Sequence, residues 1–280
     1  MTLRVGCDLG GTKLLMVADG PDGRVVARVA SGRSFDGAAL EAAILAFVAG
    51  LGERPSSIGL AIPGLVGPGP SVQACDVLPA LVGWRPLESV RSGWPFVMIN
   101  DAAAALVEEC HDAPPGLTAA VVMAGTGIGA ALLVKGAPFG GAAGWAGELG
   151  SIPIPGGPDG TVRTLDQVAS GAAIAARLGL DGATLRARAE AGDAFACRTI
   201  AEAGAALGLG LATLIDIVNP ARVSIGGGLI GLPGYLDATL ASAAQHTLPD
   251  LWRACEVREV RAGDLVAALG AARAAGLVAP

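Results

Sequence analysis

Apolar residues gather in short runs at the start of the chain, over 3–7, 14–18 and 25–30, separated by turns rich in glycine and aspartate. Runs of that length bounded by turn formers predict three adjacent strands in an antiparallel meander. Residues 38–51 change to helical composition and spacing, and 58–62, ending at Pro63-Gly64, return to a short strand. Residues 96–99 predict another strand. The alanine-rich stretch 101–110 predicts a helix with Asp101 as its cap or a first-turn residue.

The chain then repeats its opening. Residues 121–124, a Gly-Thr-Gly turn and 130–134 match the plan of 5–20 at an offset of 116, with Val5/Val121, Gly11/Gly127 and Gly20/Gly136 coinciding. A shared layout of strand, glycine turn and strand points to two related lobes. Helices are predicted around 172–178, 183–191 and 194–218, then a strand at 222–225 running into Gly226-Gly227-Gly228, and a closing helix from 264 to about 275. The fold class is α/β with mixed sheets. The expected division is an N-terminal small lobe, 1–115, completed by the C-terminal helix 264–280, and a large lobe, 116–263.

Composition narrows the function. The chain has 280 residues, 52% hydrophobic and 16% charged, enough for substantial cores. Its 19 basic and 25 acidic residues give a net charge of −6 with no basic cluster, which argues against nucleic-acid partners. The uncharged stretches 55–75 and 113–134 have membrane-spanning length, but the first carries four prolines and the second a Gly-Thr-Gly-Ile-Gly run, so neither reads as a spanning helix. The chain reaches Asp8 before a secretory apolar region could form, and its five cysteines are scattered without a C-x-x-C pair. A reduced, cytoplasmic setting is the expectation.

Chemistry concentrates in two glycine turns. In Asp8-Leu9-Gly10-Gly11-Thr12-Lys13 the glycines let backbone N–H groups approach a phosphate, and Asp8 at the strand end is placed to hold a Mg²⁺ through its water shell. The same residues also read as an ordinary hairpin turn. Gly125-Thr126-Gly127 supplies the corresponding turn in the second lobe; a strand follows it, so it is not a dinucleotide fingerprint, and no Walker A sequence exists.

In their order and spacing these segments resemble the ROK family of bacterial sugar kinases and related repressors, within the hexokinase, actin and Hsp70-like ATPase superfamily. Residues 8–13 resemble its first phosphate motif, Ala61-Ile62-Pro63-Gly64 its connecting segment, Asn100-Asp101 its catalytic pair, and Gly125-Thr126-Gly127 its second phosphate motif. Residues 144–150 resemble its A-G-E-x-G sugar segment, and Asn219-Pro220 with Gly226-Gly227-Gly228 its adenosine segment. The resemblance implies two actin-like, ribonuclease H-like lobes with ATP and Mg²⁺ bound in an interlobe cleft. It implies transfer of the γ-phosphoryl of ATP to a hydroxyl of a hexose or modified (amino) hexose, with Asp101 as general base. Asn100, Glu148, Asp166 and Ser151 are the implied sugar-side residues, and a homodimer is a family expectation. An ordinary glucokinase and a catalytically silent sugar sensor are the alternatives. A DNA-reading repressor is disfavoured, since seven residues before Asp8 leave no room for a helix-turn-helix.

Departures from the family pattern bear on the acceptor. Where most members have a histidine three residues after the sugar-segment glutamate, this chain has Ser151, and no His or Cys lies between Glu148 and Asp166. A structural zinc takes about four N or S ligands, so no zinc site is expected; three prolines and three glycines over 153–160 are expected to fix that loop instead. Asp166 stands where the family has a glutamate, and Ala80 lies in the stretch where it tends to have an asparagine. An acceptor pocket missing these polar groups will treat glucose differently from its relatives.

Overall fold

The computed structural model describes residues 2–278 apart from 22, 68, 87–89, 91–92 and 156–160. It divides into two compact units, one of residues 1–113 and 261–280, the other of residues 114–260.

The first unit is built on a five-stranded sheet in the order β3-β2-β1-β4-β7. Its strands are β1 (Arg4–Leu9), β2 (Lys13–Gly20), β3 (Gly23–Ala30), β4 (Ser57–Ile62) and β7 (Phe96–Asn100); β5 (Leu65–Val66) and β6 (Val72–Ala74) form a small separate hairpin. β1, β2 and β3 pair antiparallel, as the opening runs predict, and β1, β4 and β7 pair parallel. Side chains alternate across a strand, and β1 uses both faces. Val5, Cys7 and Leu9 enter a core with Leu40, Ile44 and Val48 of α1 (Gly37–Ala49), a helix capped by Asp36. Gly6 and Asp8 point the other way.

That other face is covered by the C-terminal helix, which follows the 166–169 turn and the second-unit helices as α9 once α2 (Asp101–Cys110), α3 (Asp166–Ala169), α4 (Gly171–Leu178), α5 (Gly182–Glu190), α6 (Ala194–Val218), α7 (Tyr235–His246) and α8 (Pro249–Ala254) are numbered. α9 (Val266–Val278) is preceded by a 3₁₀ turn, Gly263–Leu265. Gly6 and Gly59 are cross-strand partners on β1 and β4. A Cβ at Gly6 would lie 1.9 Å from the carbonyl oxygen of Ala268, and one at Gly59 1.9 Å from that of Ala271. The helix backbone therefore rests directly on the sheet. A third close approach joins α9 to α2: a Cβ at Gly270 would be 1.8 Å from the Ala104 carbonyl oxygen. Ala61, Ala104, Ala267 and Ala271 fill the seam.

Ion pairs fix the far end of α2. The Arg261 backbone N–H donates to Oε1 of fully buried Glu109 at 2.7 Å, and its guanidinium binds both oxygens of Asp112 at 2.8 and 2.9 Å. That bond holds the Asp112 carboxyl well below the usual range. Arg273 of α9 donates to Glu108 at 2.9 Å.

The second unit repeats the sheet order as β10-β9-β8-β13-β14, from β8 (Ala119–Ala124), β9 (Ile128–Val134), β10 (Ala137–Phe139), β13 (Arg222–Gly226) and β14 (Glu256–Glu259); β11 (Pro153–Pro155) pairs with β12 (Val162–Thr164). β8 to β10 are antiparallel, and β8, β13 and β14 parallel. The duplicated plan read from the sequence is thus present in both sheets. A single residue offset does not carry it, because the turn bracketed by Ala124 and Ile128 is one residue shorter than the one bracketed by Leu9 and Leu14. α6 lies in the core with Leu207, Leu211, Leu214 and Ile215 buried against β13 residues Val223 and Ile225. Among the described residues α6 is also the one helix long and apolar enough to cross a membrane; residues 55–75 and 113–134 are instead occupied largely by strands and turns.

Overpacking a well-filled seam costs about 1–3 kcal/mol and sometimes more. Gly6→Ala is expected to lower unfolding stability by about that amount in chemical denaturation, whereas Gly182→Ala, with nothing within 4 Å of the added methyl, should stay within roughly 0.5 kcal/mol. Equal effects at the two positions would contradict the close approach.

Candidate active site

Two glycine turns and four carboxylates are the candidate groups. In the first unit, the Gly10 N–H donates to the Lys13 carbonyl at 2.8 Å, closing the turn between β1 and β2. Ser31, just past β3, braces it: its Oγ donates to the Gly10 carbonyl at 2.7 Å and its N–H to the Thr12 carbonyl at 3.1 Å. In a planar trans peptide the N–H points opposite to the C=O. With the Gly10 carbonyl turned to Ser31, the Gly11 N–H is directed to the opposite side.

Asp8 lies at the end of β1 on the α9 face, and Asp101 is the first residue of α2, where its Oδ1 accepts from the Ala102 N–H at 2.8 Å. Burial and the negative charge of Asp101 push the Asp8 carboxyl up to about 7, with Lys13 opposing. The helix cap itself is Asn100, whose Oδ1 accepts from Ala102 and Ala103 N–H at 2.9 and 3.2 Å. Asn100 Nδ2 donates to the Gly64 carbonyl at 3.0 Å, leaving its second N–H for a ligand. Gly64 has φ +93°, and a Cβ there would sit 2.1 Å from the Ala74 carbonyl, so the tether for Asn100 depends on glycine at that position. Asn100 is thus the cap, and Asp101, at the first helical position, shares the Ala102 N–H with it.

In the second unit the turn after β8 is held from two sides. Carbonyls of Gly125 and Thr126 accept from the Gly171 and Ala172 N–H groups at the start of α4, at 2.9 and 3.2 Å. By the same planarity, the N–H groups of Thr126 and Gly127 face away from α4, an arrangement suited to an anion. Asp166 Oδ1 accepts from the Ile128 N–H at 2.6 Å and so fixes the end of this turn. Gly227, at φ +99°, lies so close to β8 that a Cβ would be 2.2 Å from the Ala124 carbonyl, which seats the Gly226-Gly227-Gly228 turn beside Gly125.

Glu148 belongs to the same neighbourhood. Gly147, at φ +108°, packs on β9 with its carbonyl accepting from Ala130 at 2.8 Å, and a Cβ at Gly150 would collide with the Asp166 carboxyl. Partial burial and then the charge of Asp166 raise the Glu148 carboxyl above its usual range. Ser151 is exposed, its N–H bonded to the Glu148 carbonyl at 3.0 Å. Each unit thus gathers its own residues: Asp8, Gly10, Gly11, Thr12, Lys13, Asn100 and Asp101 in the first, and Gly125–Gly127, Glu148, Ser151, Asp166 and Gly226–Gly228 in the second. Sequence reasoning missed Ser31, which leaves no motif, and placed Gly64 in the connecting segment without foreseeing that its carbonyl tethers Asn100. Among the described residues no group of three or more His, Cys, Asp and Glu is placed to hold a metal; residues 156–160 of the proline- and glycine-rich loop lie outside them.

Residues 4–276 match the ROK family. The chain belongs to the ROK family. It is 33% identical over 253 residues to a beta-glucoside kinase of Klebsiella pneumoniae, covering 82% of each chain. It is 35% identical over 162 residues to the bifunctional enzyme NanE/NanK of Brucella suis, a match that spans 55% of this chain and only 30% of that longer enzyme. The crystal structure of a ROK family glucokinase from Streptomyces griseus in complex with glucose and AMPPNP superposes with a TM-score of 0.80 at 26% identity, over 98% of this chain and 99% of that one.

Asp8 supplies a stability signature. Its folded carboxyl holds a proton more tightly than in the unfolded chain, where its ordinary value is 3.8. Its contribution to stability is therefore full below about pH 4 and is lost as pH rises through about 7. In chelator-containing buffer Asp8→Asn should melt a few degrees above wild type at pH 8 and show a much smaller gain at pH 4.5. A gain independent of pH would contradict the desolvated, repelled carboxylate.

Proposed function

We propose that this ROK protein is an ATP-dependent sugar kinase that transfers the γ-phosphoryl of ATP to a hydroxyl of a hexose or modified hexose in the cytoplasm. The observation that carries the reading is that each unit holds a braced glycine turn with N–H directed away from its brace, and that the first unit sets a carboxylate at the first position of α2. Kinase names among relatives matched over 82% and 99% of their own lengths support it.

In this reading Asp101 accepts the proton of the attacking hydroxyl while the oxygen forms its bond to the γ-phosphorus and the bond to the β,γ-bridging oxygen breaks, releasing ADP. Gly11, Thr126 and Gly127 offer N–H groups to phosphate oxygens, and the Gly226-Gly227-Gly228 turn faces the nucleoside. Asn100 keeps one N–H for the acceptor, and Glu148 accepts from its hydroxyls.

Mg²⁺ fits the donor set in the first unit. Magnesium is usually held by one or two carboxylates, waters and substrate phosphates, so the absence of a larger ligand cluster among the described residues does not oppose it. Asp8, half-buried, desolvated and repelled by Asp101, is a carboxylate that a cation would compensate, and it would hold the ion through water. When bound, the ion neutralises charge on the β- and γ-phosphate oxygens.

For the acceptor, Glu148 stands close enough to Asp166 for their charges to oppose. An amino sugar would offer a cation to that pair. The relatives named beta-glucoside kinase and NanE/NanK support a modified hexose, while the glucokinase structure that holds glucose supports the ordinary alternative. Because Asp166 also fixes the 125–128 turn, Glu148 is the cleaner position to probe.

Asp101→Asn keeps the acceptor atom for Ala102 and removes the base, so kcat should fall by about 10²–10⁴ with ATP binding and melting temperature retained. Near-normal turnover in that folded variant would discard the assignment. Across a panel of hexoses, amino hexoses, N-acetyl hexoses and β-glucosides, coupled ADP release should give a modified sugar a higher kcat/KM than glucose. Any advantage of a protonated amine should shrink in Glu148→Gln. Glucose preferred by roughly tenfold, about 1.4 kcal/mol, would instead establish an ordinary glucokinase.

A further inference from the structure

Beside the first glycine turn lies a charge group that the reaction as described does not use. Lys13, the last residue of that turn and the first of β2, directs its Nζ to Asp264 Oδ2 at 3.1 Å. Arg28 of β3 donates its Nη2 to the same oxygen at 3.1 Å. Asp264 sits in the 3₁₀ turn Gly263–Leu265 at the entrance to α9. Leu265 packs with Leu15, Val17 and Leu269, so the turn is anchored by the same seam that seats α9 on the sheet.

We propose that Asp264 is the positioning residue for the nucleotide's phosphates: it holds the Lys13 ammonium in a fixed place beside the Gly10–Thr12 turn, with Arg28 keeping the group net positive. Three features carry this. A lysine is a point charge on a flexible, rotamer-rich stem, and one carboxylate oxygen shared by two cations gives it a fixed partner while one positive charge remains uncompensated. All three side chains are roughly half exposed, so the pairs add little to folding stability and a stabilising role does not account for them. Phosphoryl transfer gains most of its rate from placed charge, so an ammonium held before the nucleotide arrives is worth more than a mobile one. The inference rests on the kinase reading for the identity of the phosphates. It goes beyond that reading in assigning a role to a residue from the chain's C-terminal segment.

The test is a double-mutant cycle on the full chain: wild type, Asp264→Asn, Lys13→Met and the pair. Each is assayed for sugar-stimulated ADP release with the best acceptor and for ADP binding by calorimetry. Asp264→Asn should lower kcat about tenfold, weaken ADP binding at least about threefold, and leave the KM for the sugar and the melting temperature essentially unchanged. In the Lys13→Met background it should have no further effect on either readout, and Asp264→Glu should recover part of the loss. Unchanged or tighter ADP binding in Asp264→Asn, or the same loss with and without Lys13, overturns the proposal. If no sugar stimulates ADP release by wild type, the kinase reading fails, and the ADP-binding cycle still decides whether Asp264 acts through Lys13.

Discussion

The first unit depends on how closely one helix can lie on a sheet. Paired glycines at 6 and 59 remove the side chains that would hold α9 away from β1 and β4, and Gly270 does the same between α9 and α2. The resulting seam contains almost nothing but glycine and alanine, so its stability comes from close backbone approach and many small dispersion contacts rather than from large side chains. It sets the position of α2, and with it Asp101 at that helix's first residue. It also sets the turn that presents Asp264. The buried Glu109 and the Arg261 and Arg273 pairs then fix α2 at its other end.

Placing carboxylates in such a seam has an electrostatic cost. Asp8 extends from β1 on the covered face, close enough to Asp101 for burial and repulsion to bring its carboxyl to about 7. Nothing in folding requires this arrangement; a neutral residue at that strand position would be more comfortable. The strain is intelligible as preparation for a cation, which would relieve it as Lys13 already does in part. In the second unit Asp166 plays a milder version of the same part, bracing the 125–128 turn with one oxygen while its charge raises Glu148.

Much of this was legible in the sequence. The glycine turns, the pairing of Asn100 with Asp101 at a strand-to-helix junction and the recurrence of strand, turn and strand in the second half identify the architecture, because turn residues and strand periodicity are local signals. Three things were not legible. Which of Asn100 and Asp101 caps α2 depends on a tether to Gly64, a partner distant in sequence. β14, with the sequence Glu-Val-Arg-Glu, has too little apolar character to announce a strand and is defined by its parallel pairing with β13. Gly6 and Gly59 look like any glycines that weaken a strand; their purpose appears only when the backbone of a helix more than two hundred residues away is set against them.

On this account α9, α2 and the parallel strands of the first sheet form one cooperative piece that holds Asp101 and Asp8 in place. Native-state amide hydrogen exchange measures this directly. The core amides of α9 and α2 should open with the same free energy as those of β1 and β4, and that shared value should match the global unfolding of the first unit. If α9 exchanged through an independent opening of much lower free energy, with β1, β4 and α2 still protected, the helix would be an accessory rather than the support on which the site rests.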